Sequence, residues 1–512
     1  MKPSLHPSPW EHRLAKLQFP PLREDLWLDC CIIGAGIAGM TLGYLLTLHG
    51  KRVGIVDAGP IGGGETRHTT AHLSNAIDAR YHEMIRIHGA ENAHKIAESH
   101  TAAIARIEQI VREEGIDCDF ERVDGYLFTS PGDDGEELDR EEEAAQKAGL
   151  FEVRKVGRAP IPGFETGPAL LFPRQAQFHP LKYLEGLRDV FLQRGGVIFG
   201  ETQVVEVKGG DQAHLTTADG WRIDANHLAV TTNTPFNDRV EIHTKQAAYR
   251  TYAIGAEIPS GSVPAALFWD TFDPYHYVRI ERGEKDDLLI IGGEDHKTGQ
   301  ADDAEKRFER LELWARRHFP QMRGIRYQWS GQVIETVDGI AFIGHNPLDA
   351  HNVSIATGDC GMGMTHGTIA GMILCDRILG DHNPWAALYD PARRRVSALA
   401  RFASENLNVA AQYADYLSPG DLSSEKELEP GCGAVLRHGL KKVAVYRDEA
   451  GICHSYSAVC PHLKCVVHWN SMEKTWDCPC HGSRFSTTGE VLNGPATSPL
   501  TPIGEPVEAA EP

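Results

Sequence analysis

Cys460 and His462, followed by Cys478 and His481, constrain this chain more than any other four residues. The pattern is C-x-H, fifteen residues, then C-x-x-H, so each short loop supplies one thiolate and one imidazole. Zinc accepts two Cys and two His in a tetrahedron, but a zinc finger usually takes its Cys pair from one turn and its His pair from a helix. One of each from two loops suits a [2Fe–2S] cluster, with two Cys on one iron and two His on the other. Structural zinc is the alternative reading of the same residues. On the first reading, this end of the chain carries electrons.

The stretches "CPHLKC" and "CPCHGSRF" resemble the two cluster-binding loops of Rieske proteins. The resemblance implies Cys460, His462, Cys478 and His481 as metal ligands. It also implies a Cys465–Cys480 disulfide tying the loops together. Two reduced, buried thiols are the alternative, because cytosolic proteins rarely keep disulfides. Ser483 matches a hydroxyl donor of the high-potential members, whereas Phe485 stands where they carry a Tyr. An intermediate potential, within roughly −150 to +300 mV, follows from that difference. The segment from residue 432 onward shows short strands and hairpin turns, as expected for a small all-β Rieske domain, and "LNGPATSPL" resembles the Pro-containing loop that covers the cluster. In this fold the imidazole edges of His462 and His481 are expected at the surface, as the exit for electrons.

The other end has a different signature. "LWLDCCII" (26–33) reads as a buried strand running into Gly34-x-Gly36-x-x-Gly39 and an apolar helix; "RVGIVD" then ends in Asp57, eighteen residues past the third glycine. Strand, glycines, helix, strand and acid in this order form a dinucleotide fingerprint. The glycines let the backbone approach a pyrophosphate at the helix N-terminus, and the acid takes the ribose hydroxyls.

Downstream, "GPIGGGETRHTTAHLS" and "VSIATGDCGMGMTHGTIAGMIL" resemble flavin-contacting segments of the D-amino-acid-oxidase/glycine-oxidase-like (DAO) family. That resemblance, with no second strand-preceded GxGxxG, implies FAD rather than NAD. The implied cofactor-binding residues are Gly34, Gly36, Ala38, Gly39, Asp57, Ala58, Thr66, Thr70, Val205, Thr232, Gly358, Gly361, Met362, Gly363 and Met364. The helix opening at Met362–Met364 would turn its positive end toward the reduced flavin. Some relatives bond flavin covalently to a His at the spacing of His68, but the surrounding residues differ and His72 is a near neighbour.

The expected fold class is a two-domain α/β (α+β) FAD oxidoreductase, with a Rossmann-like FAD domain and a sheet-based substrate domain, plus the small all-β Rieske domain. Residues 1–25 form an N-terminal arm and 26–416 the oxidoreductase. Its FAD part spans about 26–84, 166–239 and 331–383, and its substrate part about 85–165 and 240–330. A single helix at about 384–416 and a Pro/Gly/Ser-containing linker (417–430) lead to the Rieske domain (431–512). Tyr277 and Arg279 alternate on one strand face, so with Arg250 they are the substrate-binding candidates. Catalytic residues are not named, because hydride transfer to flavin relies on orientation and the cofactor.

The net charge of −20 argues against nucleic-acid partners, and no run of eighteen apolar residues or signal-like N-terminus is present, so a cytoplasmic, soluble protein is expected. The expected function is a dehydrogenase that oxidises a small amine or N-substituted amino acid. FAD would pass electrons singly to the cluster and on to an external acceptor. The alternatives are a reductase running in the opposite direction and a redox sensor.

Overall fold

In the computed structural model, which describes residues 6–129, 135–237, 241–439, 441–504 and 507–508, the predicted unit is formed by β1 (Leu26–Ile33), α1 (Ile37–Leu48) and β2 (Val53–Val56). Residues 1–5 of the expected arm, and a few residues of the other expected domains, lie outside the described residues. Cys30, Cys31, Ile32 and Ile33 are buried, as a parallel central strand covered on both faces requires. β1 pairs in parallel with β2 and with Arg222–Val230. The main strand order runs Phe342–His345, Val353–Thr357, Arg222–Val230, β1, β2, Val197–Phe199, with only the first pair antiparallel.

Gly34 adopts φ +104°, and a Cβ there would meet the Thr231 carbonyl oxygen at 2.7 Å. A second helix, Gly363–Leu379, packs against α1. Its Gly371 leaves only enough room to touch Thr41, where a Cβ would lie 2.6 Å from that side chain. Two glycine-opened helices therefore lie together behind the carboxyl ends of the parallel strands, where open α/β sheets bind ligands.

The second sheet has nine strands and holds the long antiparallel ribbon Gln246–Pro259, flanked by Ile325–Thr336 and Asp286–Lys297. His276–Glu281, Ala266–Asp270, Glu121–Phe128 and Ala169–Gln177 continue it toward the first module. Phe308, Leu311 and Ala315 of helix Ala304–His318 close its far face over Ile254, Ile258 and Ile291.

The single helix expected at about 384–416 is broken. Helices Ala386–Tyr389 and Leu399–Gln412 are separated at Asp390-Pro391, because Pro lacks an N–H and disfavours helix in the residue before it. Arg393 fixes the break, donating to Asp338 and to the carbonyls of Tyr389, Ile340 and Ala341.

Beyond residue 431 the described residues form two four-stranded sheets. One contains Cys432–His438, Lys441–Arg447 and Ile452–Ser457; the other contains His468–Asn470, Thr475–Asp477, Arg484–Phe485 and Val491–Asn493. At the opposite end, buried Trp10 donates from Nε1 to the Thr69 carbonyl (2.8 Å), and Glu11 faces Arg67 and His68. The N-terminal arm thus packs over the loop that follows β2.

Candidate functional site

A cleft of about 640 Å³ opens at the carboxyl ends of the parallel strands, within the size range of cofactor sites. Of the residues expected to hold FAD, it is lined by Gly34, Gly36, Ala38, Asp57, Ala58, Thr66, Thr232, Gly358, Gly363 and Met364. Gly39 packs behind the cradle against the Gly34 carbonyl, and Gly361 and Met362 shape the turn into the second helix. Thr70 is held at its carbonyl by Arg279. Val205 is exposed, whereas Val204 lines the cleft; the ladder shifts register between Val204 and Glu206, and Val205 falls at that irregularity.

Asp57 accepts from the Ala35 and Gly59 amides, each at 2.7 Å. Burial raises its carboxyl to about 6 against the pull of those amides. A strained glycine cradle, a helix N-terminus and an acid at the cleft edge together fit a flavin dinucleotide.

At the C-terminal end the four ligand candidates converge. The His462 and His481 rings lie 5.0 Å apart, and the buried Cys460 and Cys478 thiols interact with each other. That interaction, with the His462 amide and the Ser483 hydroxyl, lowers Cys460; the same interaction and burial raise Cys478. Burial, reinforced by His243, lowers His481 to about 3, which keeps the imidazole neutral as ligation requires. Cys465 and Cys480 are joined in a disulfide between the two loops. Two thiols and two neutral imidazoles on disulfide-tied loops fit the mixed ligation of a [2Fe–2S] centre.

The expectation that the imidazole edges face solvent is corrected. His481 is buried and His462 half-buried, and both rings pack on His243 of the first module, with centroids 5.4 and 4.7 Å away. The outer side of the first loop is covered by Tyr413 and Tyr416, which donate to the carbonyls of Leu463 and Lys464. Sequence reasoning missed His243, because no local motif marks it.

It also missed how closely the two modules join. Asn493, Gly494, Ala496, Thr497 and Pro499 of the Pro-containing loop line the flavin cleft, while the Ala496 amide donates to Ser483 beside the ligands (3.1 Å). Glu65, also in the cleft lining, accepts from Asn493 (2.9 Å) and from the Gln332 amide (2.7 Å); the Gln332 side chain donates to the Gly482 carbonyl (2.8 Å). Burial pushes Glu65 up, but His68, Arg250 and the Gln332 amide outweigh it and hold the carboxyl at about 2.

The structure engages each of the three substrate-binding candidates elsewhere. Arg250 is buried against Ser330 and Glu473, and Arg279 donates to the carbonyls of Thr70, Ala71 and Phe178 and pairs with Glu281. Tyr277 shares a hydrogen bond with Thr251 (2.7 Å). None of the three lines the cleft. His68 lies between the carboxylates of Glu11 and Glu65.

Around the turn before the second helix stand four acids: Asp78, Asp295, Glu335 and Asp359. Asp359 lines the cleft, Gly361 abuts Asp78, and Tyr275 donates to Asp295 (3.3 Å). Burial chiefly, then the neighbouring carboxylates, raises Asp78 and Asp359 to about 7 and Asp295 to about 6; Glu335 is also raised by burial.

The family model of the FAD dependent oxidoreductases (DAO) matches residues 29–377, and that of the Rieske [2Fe-2S] domain matches residues 419–504. The chain is 34% identical over 499 residues to the Bacillus subtilis (strain 168) protein YhfW, named as a Rieske 2Fe-2S iron-sulfur protein; the match covers 96% of this chain and 97% of that one. It is 24% identical over 377 residues to gamma-glutamylputrescine oxidoreductase of Escherichia coli (strain K12), covering 71% of this chain and 86% of the relative. Among solved structures, glycine oxidase from Geobacillus kaustophilus superposes with a TM-score of 0.61 at 16% identity, covering 72% of this chain and 99% of that one, a likeness of fold. The chain belongs to the FAD dependent oxidoreductase family and is an enzyme with a C-terminal Rieske domain, whose cofactors are FAD and a [2Fe–2S] cluster.

Proposed function

We propose that the protein is a dehydrogenase for a small amine, passing electrons from FAD to its own cluster and then to an external one-electron acceptor. The observation that carries this reading is the shared loop: Asn493, Gly494, Ala496 and Thr497 wall the flavin cleft, and the Ala496 amide donates to Ser483 beside the cluster ligands. When bound, FAD takes a hydride from the carbon next to nitrogen, and the cluster carries electrons one at a time.

The protein's own residues account for the rest. Arg250 and Arg279 are neutralised by glutamates, so neither supports a carboxylate grip, and the amine reading is favoured over the amino-acid one. Four acids near the second helix instead create a negative field suited to a cation. Asp78 and Asp359, raised to about 7, can accept the ammonium proton near neutral pH and leave the free amine that hydride transfer needs. Among the described residues no helix is long and apolar enough to cross a membrane. The buried, unbridged thiols Cys30, Cys31, Cys118, Cys360 and Cys375 support a reducing, cytoplasmic setting.

Anaerobic stopped-flow spectra with a panel of primary and secondary amines test the reading. Flavin bleaching followed by cluster reduction supports it; bleaching that leaves the cluster oxidised overturns it.

A further inference from the structure

His243 is the point where the flavin module touches both histidines of the cluster site. It is 2% exposed, and its ring lies 4.7 Å from that of His462 and 5.4 Å from that of His481. Its own segment is hydrogen-bonded to several parts of the flavin module. Thr244 accepts from Asn406 (2.9 Å), Lys245 donates to Glu241 and Pro391, and the Lys245 carbonyl accepts from the Val337 amide. Three residues on, Gln246 accepts from Thr357 (3.1 Å), which lines the flavin cleft. A short, hydrogen-bonded route therefore runs from the cleft through Thr357, Gln246 and the intervening backbone to a ring packed edge-on against two imidazoles.

We propose that His243 is a positioning residue that seats both histidine ligands against the flavin module and so couples the cluster to the flavin. This rests on the electron-transfer reading above. One electron leaves the flavin and converts one ferric iron of the cluster to ferrous; in turnover an external one-electron acceptor then takes it away. The flavin module supplies His243 from a rigid turn, so the two imidazoles are held in one arrangement without movement of the Rieske domain. Residues that orient a ligand from behind commonly affect a metal site 10- to 100-fold.

Flash photoreduction with deazaflavin and EDTA delivers one electron to the FAD of the intact, cluster-loaded protein, while flavin and cluster absorbances are followed separately. The EPR g-values of the cluster, reduced separately with dithionite, are recorded alongside. His243→Leu is expected to slow the flavin-to-cluster phase by at least about tenfold and to shift the g-values, whereas His243→Phe, which keeps a ring, retains both. If Leu does not load its cluster, His243→Gln, which also lacks a ring, takes its place with the same expectation. A ringless variant with wild-type rate and g-values overturns the proposal, as does a Phe variant as slow as Leu. Wild-type protein whose flavin never reduces the cluster overturns the electron-transfer reading, and the g-values then still decide whether His243 seats the ligands.

Discussion

Arg250 of the flavin module and Glu473 of the Rieske domain form an ion pair at 2.5 Å, with the guanidinium 1% exposed. Glu473 also pairs with Arg484, and Arg484 in turn with Asp477, so one carboxylate holds two buried cations across the join between modules. Burial pushes Glu473 up, but the two guanidinium groups outweigh it and hold its carboxyl well below the usual range.

Replacing Glu473 with Gln strands the buried Arg250, while Arg484 keeps Asp477. Breaking a buried pair by removing one partner typically costs 3–5 kcal/mol, so Glu473→Gln is expected to destabilise the docked Rieske domain by roughly 3 kcal/mol. Denaturant unfolding followed by the cluster's visible absorbance measures this, and limited proteolysis near residues 417–430 reports whether the domain is released.

The same join has a pH dependence. Glu65, held at about 2, and Glu473 are depressed relative to unfolded glutamates near 4.5, so their stabilisation is present above that value and is lost as pH falls toward 2. Cluster absorbance followed from pH 6 to pH 2 is expected to show loss of the docked state in that window.

Asp57 ties the glycine turn to the following loop by accepting hydrogen bonds from two backbone amides. Hydrogen bonds to a charged group contribute about 1.5–3 kcal/mol, so Asp57→Ala is expected to weaken FAD about 10- to 100-fold, with the cluster retained. Flavin content after dialysis, compared with iron content, checks both halves.

Asp78 works in the other direction. Its pKa of about 7 lies above the unfolded value near 3.8, so the folded state keeps a proton that the unfolded state has lost, and stability falls as pH rises between them. Amine binding is expected to strengthen as pH rises through 7 and the carboxylate ionises. Asp78→Asn should therefore raise the thermal midpoint at pH 8, while KM for an active amine rises about tenfold, the scale of one charged contact.

The Ser483 hydroxyl lowers the Cys460 thiol. A hydroxyl beside that sulfur favours the more electron-rich reduced cluster. Its loss in Ser483→Ala is expected to lower the midpoint potential by about 40 mV, the equivalent of about 1 kcal/mol for one electron, read by EPR-monitored titration.

Some of this architecture was legible in one dimension. The ligands Cys460, His462, Cys478 and His481 and the glycines Gly34, Gly36 and Gly39 lie close together along the chain, because a tight loop and a strand-to-helix turn are local structures with local requirements. The break at Pro391 was also within reach, since Pro's missing N–H acts on its own neighbourhood.

What lay beyond the sequence is everything that joins distant segments. His243 stands 219 residues before His462, and Arg250 stands 223 before Glu473. Arg250 and Arg279 read as substrate grips on pattern alone, and only packing shows that glutamates already neutralise them. The register shift at which Val204 lines the cleft and Val205 is exposed is likewise set by strand pairing. Local spacing thus marked a mixed Cys/His metal site and a dinucleotide turn, and family resemblance named the cluster and FAD, because ligand loops and phosphate turns are short-range geometry. The tertiary structure decided which way the histidine edges face and what surrounds the cleft, because burial and charge pairing depend on neighbours that only folding brings together.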